Sequence, residues 1–79
     1  MYNKTFYELL PDDSHKSFYG KARVMRDETG ETLFSYGTPI VHRDHAGNLK
    51  RLWWGWSATT GRHVKAFCGL NKAGFMALE

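Results

Sequence analysis

From Phe18 the chain alternates, with Phe18, Gly20, Ala22 and Val24 on one side of an extended backbone and Tyr19, Lys21, Arg23 and Met25 on the other. A period of two is the spacing of a half-buried β-strand, and it constrains the fold more than any other feature. Asp27-Glu28-Thr29-Gly30 then supplies a hairpin turn, with glycine where a positive φ is needed. Residues 32–41 are again β-rich, through Leu33, Phe34, Tyr36, Ile40 and Val41, but Gly37-Thr38-Pro39 interrupts them. Proline removes a ladder donor, so this strand is expected to bend there or to lie at a sheet edge. His45-Ala46-Gly47-Asn48 makes the second turn, and residues 49–56 read as a third strand with Gly55 at a bulge.

After Trp56 the period changes. Thr59 or Thr60 offers an N-cap oxygen, and Val64, Phe67 and Cys68 fall on one helical stripe with Leu70 near its edge. Gly61 and Gly69 each weaken such a helix by about 1 kcal/mol relative to alanine, so it is expected to be short and dependent on docking. Asn71 or Gly74 would end it through a left-handed cap. Phe75, Met76 and Leu78 form an apolar tail that must pack back, fray or meet another molecule. At the other end, Phe6, Leu9 and Leu10 have helical spacing, while Thr5, Phe6 and Tyr7 suit a short strand; Pro11 closes the segment.

The expected fold class is therefore α+β: a three-stranded antiparallel β-meander with a C-terminal α-helix packed on one face, preceded by a short N-terminal helix or strand. One domain is expected, with an N-terminal extension over 1–15, the sheet over 16–56, the helix over 59–71 and a tail over 72–79. At 79 residues the chain is near the lower limit for a self-sufficient core. The single cysteine, Cys68, cannot form an intrachain disulfide and suits a reducing compartment. No apolar run is long enough to span a bilayer, and residues 1–15 lack the apolar core of a signal peptide. The expected location is the cytoplasm, with no membrane partner and no cofactor.

All three tryptophans, Trp53, Trp54 and Trp56, fall at the end of the third strand. Trp carries a large apolar area and one polar N–H, so three together belong to a core, a binding surface or both. Alternation sets Leu49, Arg51 and Trp53 on one face and Lys50, Leu52 and Trp54 on the other; Trp53 is expected inward, Trp54 outward, and Trp56 inward through the Gly55 bulge. The outward face would then carry Tyr19, Lys21, Arg23, Lys50 and Trp54. Basic groups interleaved with rings are what single-stranded nucleic acid needs, cations for phosphates and rings for bases. The same pattern also describes an ordinary solvated sheet face whose charges discourage edge-to-edge association. The net charge of +3 leans toward anionic partners.

Lys16-Ser17-Phe18-Tyr19-Gly20-Lys21-Ala22, then Ser35-Tyr36-Gly37-Thr38, then Trp56-Ser57-Ala58-Thr59-Thr60-Gly61-Arg62-His63 with Phe67, occur in that order. This succession resembles a small domain of unknown function common in gut bacteria, their conjugative elements and their phages. The resemblance spans about residues 16–70; Trp54 beside Trp53, and Pro39 after the second block, depart from its pattern. It carries no catalytic assignment. It implies an accessory role in a mobile genetic element: a non-enzymatic adaptor or inhibitor of a host protein or nucleoprotein machine, of the anti-CRISPR kind. The alternative is direct binding of single-stranded nucleic acid or a DNA site through the basic-aromatic face. Self-association through the Pro39-marked strand or the Phe75-Met76-Leu78 tail would give an isologous dimer.

The remaining chemistry is thin. Ser57, Thr59 and Thr60 at a helix start, with Arg62 nearby, could hold a phosphate, but a helix cap accounts for the same hydroxyls. His63 is then expected to bond a strand carbonyl, and Trp53, Trp56 and Phe67 to fill the core. His42-Arg43-Asp44-His45 matches no structural zinc spacing, and no metal is expected. Cys68 and His63 lie on different faces of one helix, and Ser57 with His63 lacks a third group to orient the imidazole, so no enzyme is expected.

Overall fold

The computed structural model describes residues 5–9 and 21–78. Five strands form one antiparallel sheet: β1 (Thr5–Glu8), β2 (Ala22–Asp27), β3 (Gly30–Ser35), β4 (Thr38–Asp44) and β5 (Leu49–Arg51). Their order in the sheet is their order in the chain. Two helices follow, α1 (Ala58–Cys68) and α2 (Lys72–Met76). The class is α+β with an antiparallel sheet and a C-terminal helix, but the strand count of three is corrected to five. Residues 5–8 take the strand alternative, and the single strand expected over 32–41 is two.

The split comes from Tyr36 and Gly37, whose φ angles of 53° and 82° reverse the chain between the paired ends Ser35 and Thr38. Two successive positive φ angles are what a tight hairpin between right-twisted strands requires, and glycine meets that need without strain. Pro39 stands just beyond this turn, opposite Phe34, and the next ladder pair is Leu33 with Val41. Ile40 is thus the extra residue of a bulge, which turns it into the core beside Val41; both are buried. The bend expected at Pro39 is present, while the edge placement is not, because β4 has β3 on one side and β5 on the other.

One face of the sheet carries the row Tyr7, Val24, Leu33, Val41 and Arg51, one residue from each strand. Its three apolar members are fully buried with Ile40, Val64, Phe67 and Phe75, and together these form the core. Seven apolar side chains, from three strands and both helices, therefore anchor the helices to the sheet. Burying each contributes about 1.5–3 kcal/mol. Of the alternatives open for the apolar tail, Phe75 takes packing back: it is wholly buried, on α2.

The caps differ from expectation. Ser57, not Thr59 or Thr60, is the N-cap of α1, and its hydroxyl accepts from Thr60 N at 3.1 Å. Gly69 ends α1 in the left-handed conformation, with its N–H donating to Lys65 O at 2.8 Å. The roles expected for Asn71 and Gly74 as terminators give way to a second helix: Asn71 Oδ1 accepts from Gly74 N at 2.8 Å and starts α2. The third strand stops at Arg51, so Gly55 is not a strand bulge; residues 52–57 form an irregular bridge to α1. Ring packing shapes that bridge. The Trp53 ring lies on Gly55, and the Trp56 ring lies between Gly61 of α1 and Phe75, 5.5 Å from the latter's centroid.

Candidate binding surface

The open face of the sheet is built by alternation from the residues that the core rejects. Phe6, Met25, Thr32, His42 and Lys50 form one cross-strand row, and Glu8, Arg23 and Phe34 part of the next. At the β1 side of this face, Phe6, Lys21, Arg23, Phe34, Tyr36 and Gly37 line an open groove of about 450 Å³. Phe6 meets Phe34 edge to face at 6.0 Å, the Arg23 guanidinium stands 5.3 Å from the Phe6 centroid, and Lys21 Nζ stands 5.8 Å from that of Tyr36. Phe6 and Tyr36 are about half exposed, at 49% and 58%. The described carboxylate ion pairs go to Arg26 and Arg43, and among the described residues Lys21, Arg23 and Lys50 form none. Glu8 is the one opposing charge in register, across from Arg23.

Of the residues that sequence singled out, Lys21, Arg23 and Lys50 do share this face, whereas Tyr19 lies outside the described residues. Trp54 is exposed at 65% but does not join them: its ring stacks 3.8 Å from the guanidinium carbon of Arg51, on the helix side. Arg62 is exposed on the second turn of α1. Phe6, Phe34 and Tyr36 were not singled out. The signal for Phe34 was its alternation with Leu33, and for Tyr36 the glycine that follows it.

The hydroxyl cluster at the start of α1 is engaged in structure. Thr60 is buried, with Oγ1 3.1 Å from Ser35 Oγ, and that same hydroxyl lies 2.8 Å from His63 Nδ1. His63 does reach the strand, through a side chain as its partner. Burial, then the nearby Arg62 charge, lowers the His63 pKa and keeps the ring neutral. Tyr36 covers this cluster, its ring 5.9 Å from that of His63. Thr59 is exposed, Phe67 is buried, and Trp53 and Trp56 are half-buried. Of the segments named for self-association, β4 is an inner strand and Phe75 belongs to its own core, while Met76 stays 43% exposed.

Polar groups on the helix face converge on Glu31. Its carboxylate accepts from Tyr7 Oη at 2.6 Å, Arg26 Nη2 at 3.1 Å and Arg43 Nη2 at 2.8 Å. The hydrogen bonds from Tyr7 and Arg43 hold its pKa down at about 2. Arg43 continues to Phe67 O at 3.0 Å, tying the sheet to the end of α1. His42 and His45 brace the first hairpin turn, their Nε2 atoms 3.2 Å from Thr29 O and 3.0 Å from Glu28 O. Among the described residues no three His, Cys, Asp or Glu side chains gather as a metal site. Cys68 Sγ donates to Val64 O at 3.4 Å, and burial raises its pKa. No described helix is long and apolar enough to cross a membrane.

Fold and surface together define a small α+β domain with one sheet face covered by helices and the other open, basic and ringed. The chain belongs to the family of unknown function DUF8033, whose model matches residues 8–76. No curated protein and no solved structure matches it.

Proposed function

We propose that this chain is a binding module whose open sheet face takes single-stranded nucleic acid. The supporting observation is the groove in which three rings, Phe6, Phe34 and Tyr36, stand among the unmatched cations Lys21 and Arg23. Exposed rings on a sheet suit bases that are not already stacked on one another, and each stacked base is worth about 1–3 kcal/mol. Lys21, Arg23 and Lys50 supply the phosphate contacts.

The test is fluorescence anisotropy of labelled single-stranded DNA, RNA and duplex at about 50 and 200 mM salt. Three phosphate contacts on a single strand give a log–log salt slope of about −2, or a loss of about 15–20-fold across that range. Tyr36→Asn removes a ring while placing at the turn a residue that takes positive φ more readily, so binding should fall with the fold intact. Absence of binding at micromolar protein, or binding indifferent to Tyr36→Asn and Lys21→Ala, would refute the reading.

An adaptor or inhibitor acting on a host protein is the second reading. The observation in its favour is Trp54, a large exposed ring held by Arg51 away from the basic groove.

A further inference from the structure

Opposite residues of an antiparallel pair share a face. The face that carries Phe34 therefore continues onto β4 at Pro39, and from His42 onto β5 at Lys50. Strict alternation would put Pro39 and His42 on opposite faces of β4. The bulge sends both Ile40 and Val41 into the core and leaves Pro39 and His42 together on the outside. Pro39 and Lys50 are exposed, and His42 is half-buried.

Acids edge this face on two sides. Glu8 stands on β1, across from Arg23. Asp27, two residues beyond Met25, and Asp44, two beyond His42, stand where the hairpin turns begin, one on each side of Gly30. Their carboxylates accept from N–H groups of their own turns: Asp27 from Thr29, Asp44 from Ala46 and Asn48. A phosphodiester chain leaving the groove over β1, or toward those turns, meets a carboxylate. Over Pro39 it meets none of the described acids, and the next cation beyond is Lys50.

His42 is fixed in place beside that path. Its Nε2 lies 3.2 Å from Thr29 O, and its Nδ1 lies 2.8 Å from Thr32 Oγ1. A carbonyl only accepts, so Nε2 carries the proton and donates; in the neutral ring Nδ1 then accepts from the Thr32 hydroxyl. With both nitrogens engaged within the sheet, the ring has its face to offer a base or a sugar.

We propose that a single strand runs across the sheet, from the groove over Pro39 and His42 to Lys50, and that about four nucleotides fill the site. Lys50 stands three strand spacings from Lys21 and Arg23, about 14 Å. A stacked strand advances about 3.4 Å per nucleotide and one with its bases pulled apart about twice that, so two unstacked nucleotides bridge the span. Two more occupy the groove, one against Phe6 and one against Tyr36. This route rests on the single-strand reading of the groove and adds to it a length and two contact residues, Pro39 and His42.

The test is anisotropy of fluorescein-labelled oligothymidylates, from a dinucleotide through a tetranucleotide and an octanucleotide to a dodecanucleotide, with the intact chain. Binding should tighten about tenfold or more between the dinucleotide and the tetranucleotide, as further stacked bases imply. Beyond that it should rise only by the number of registers a longer strand offers. Lys50→Ala, at an exposed position, should erase the gain and leave the dinucleotide unchanged. It should also make the log–log salt slope of the tetranucleotide shallower by about 0.7, the share of one phosphate on a single strand. Lys21→Ala should weaken both lengths. His42→Gln keeps a donor and an acceptor but no ring, and should reduce the gain with the urea midpoint close to that of the parent. A tetranucleotide no tighter than the dinucleotide, or one indifferent to Lys50→Ala, overturns the route while the single-strand reading stands. So does an affinity that climbs beyond the register count up to the dodecanucleotide. Failure of every length to bind overturns both.

Discussion

Replacing Gly61 by alanine separates two opposed effects by their sign. Gly61 lies in the interior of α1, where alanine is favoured over glycine by about 1 kcal/mol, so a reading from propensity alone expects stabilisation. The structure expects the reverse. A Cβ at this position would stand 2.8 Å from Trp56 Cη2 and closer still to Cζ2. The half-buried Trp56 ring must move away from the helix, and it cannot do so without disturbing its contact with Phe75, 5.5 Å off. Overpacking costs about 1–3 kcal/mol, and an aromatic pair contributes about 0.5–1.5 kcal/mol beyond its burial. Against a gain of about 1 kcal/mol, the net should be a loss of about 1–2 kcal/mol, or a Tm lower by roughly 5–15 °C for a domain of this size. Urea unfolding followed by far-UV dichroism measures the loss, and tryptophan emission of the native state reports the displaced ring. A Gly61→Ala variant more stable than the parent would show that Trp56 does not rest on α1, and the packing argument would fail with it.

Two further predictions concern acid. Glu31 titrates near 2 in the folded chain, below its ordinary 4.5, so its stabilisation is complete above about pH 4.5 and declines as pH falls toward 2; Glu31→Gln should flatten the urea midpoint over that window. His63 has a lowered pKa, so its contribution is complete above its ordinary 6.5 and declines as pH falls below it, and Arg62→Gln should move its NMR titration upward by removing one of the causes. A His63 resonance that titrates at the value of a free imidazole would contradict its burial against Ser35.

Much of the fold is legible in the alternation. Ala22 and Val24 point inward and Lys21 and Arg23 outward as the period of two requires, and both turns, over 27–30 and 45–48, lie where Gly, Asn and Asp gather. What escaped detection depended on contacts distant in sequence. Phe6, Leu9 and Leu10 have helical spacing while Thr5, Phe6 and Tyr7 suit a strand, and only the pairing of residues 5–8 with β2 decides for that stretch. Tyr36 is a poor residue for positive φ, so its turn carries a weak local signal; contact with His63 and Lys21 holds it there. The tryptophans escape the strand pattern because Gly55 and Gly61 offer flat seats to Trp53 and Trp56. For the candidate groove, sequence yields the cations but not the rings beside them, since Phe6 and Phe34 meet only across three strands.

The strictly sequential order of the sheet bears on how the chain is made. Each strand pairs with the one synthesised just before it, so the contacts between strands are short-range ones that form early and fast. The row of Val24, Leu33 and Val41 is complete once residue 41 has emerged, yet the side chains that cover it, Val64, Phe67 and Phe75, come last. At about 5–20 residues per second, some two to seven seconds pass between the two events. During that interval the nascent sheet displays its apolar face uncovered, and Phe75, the last of these core side chains in sequence order, closes it.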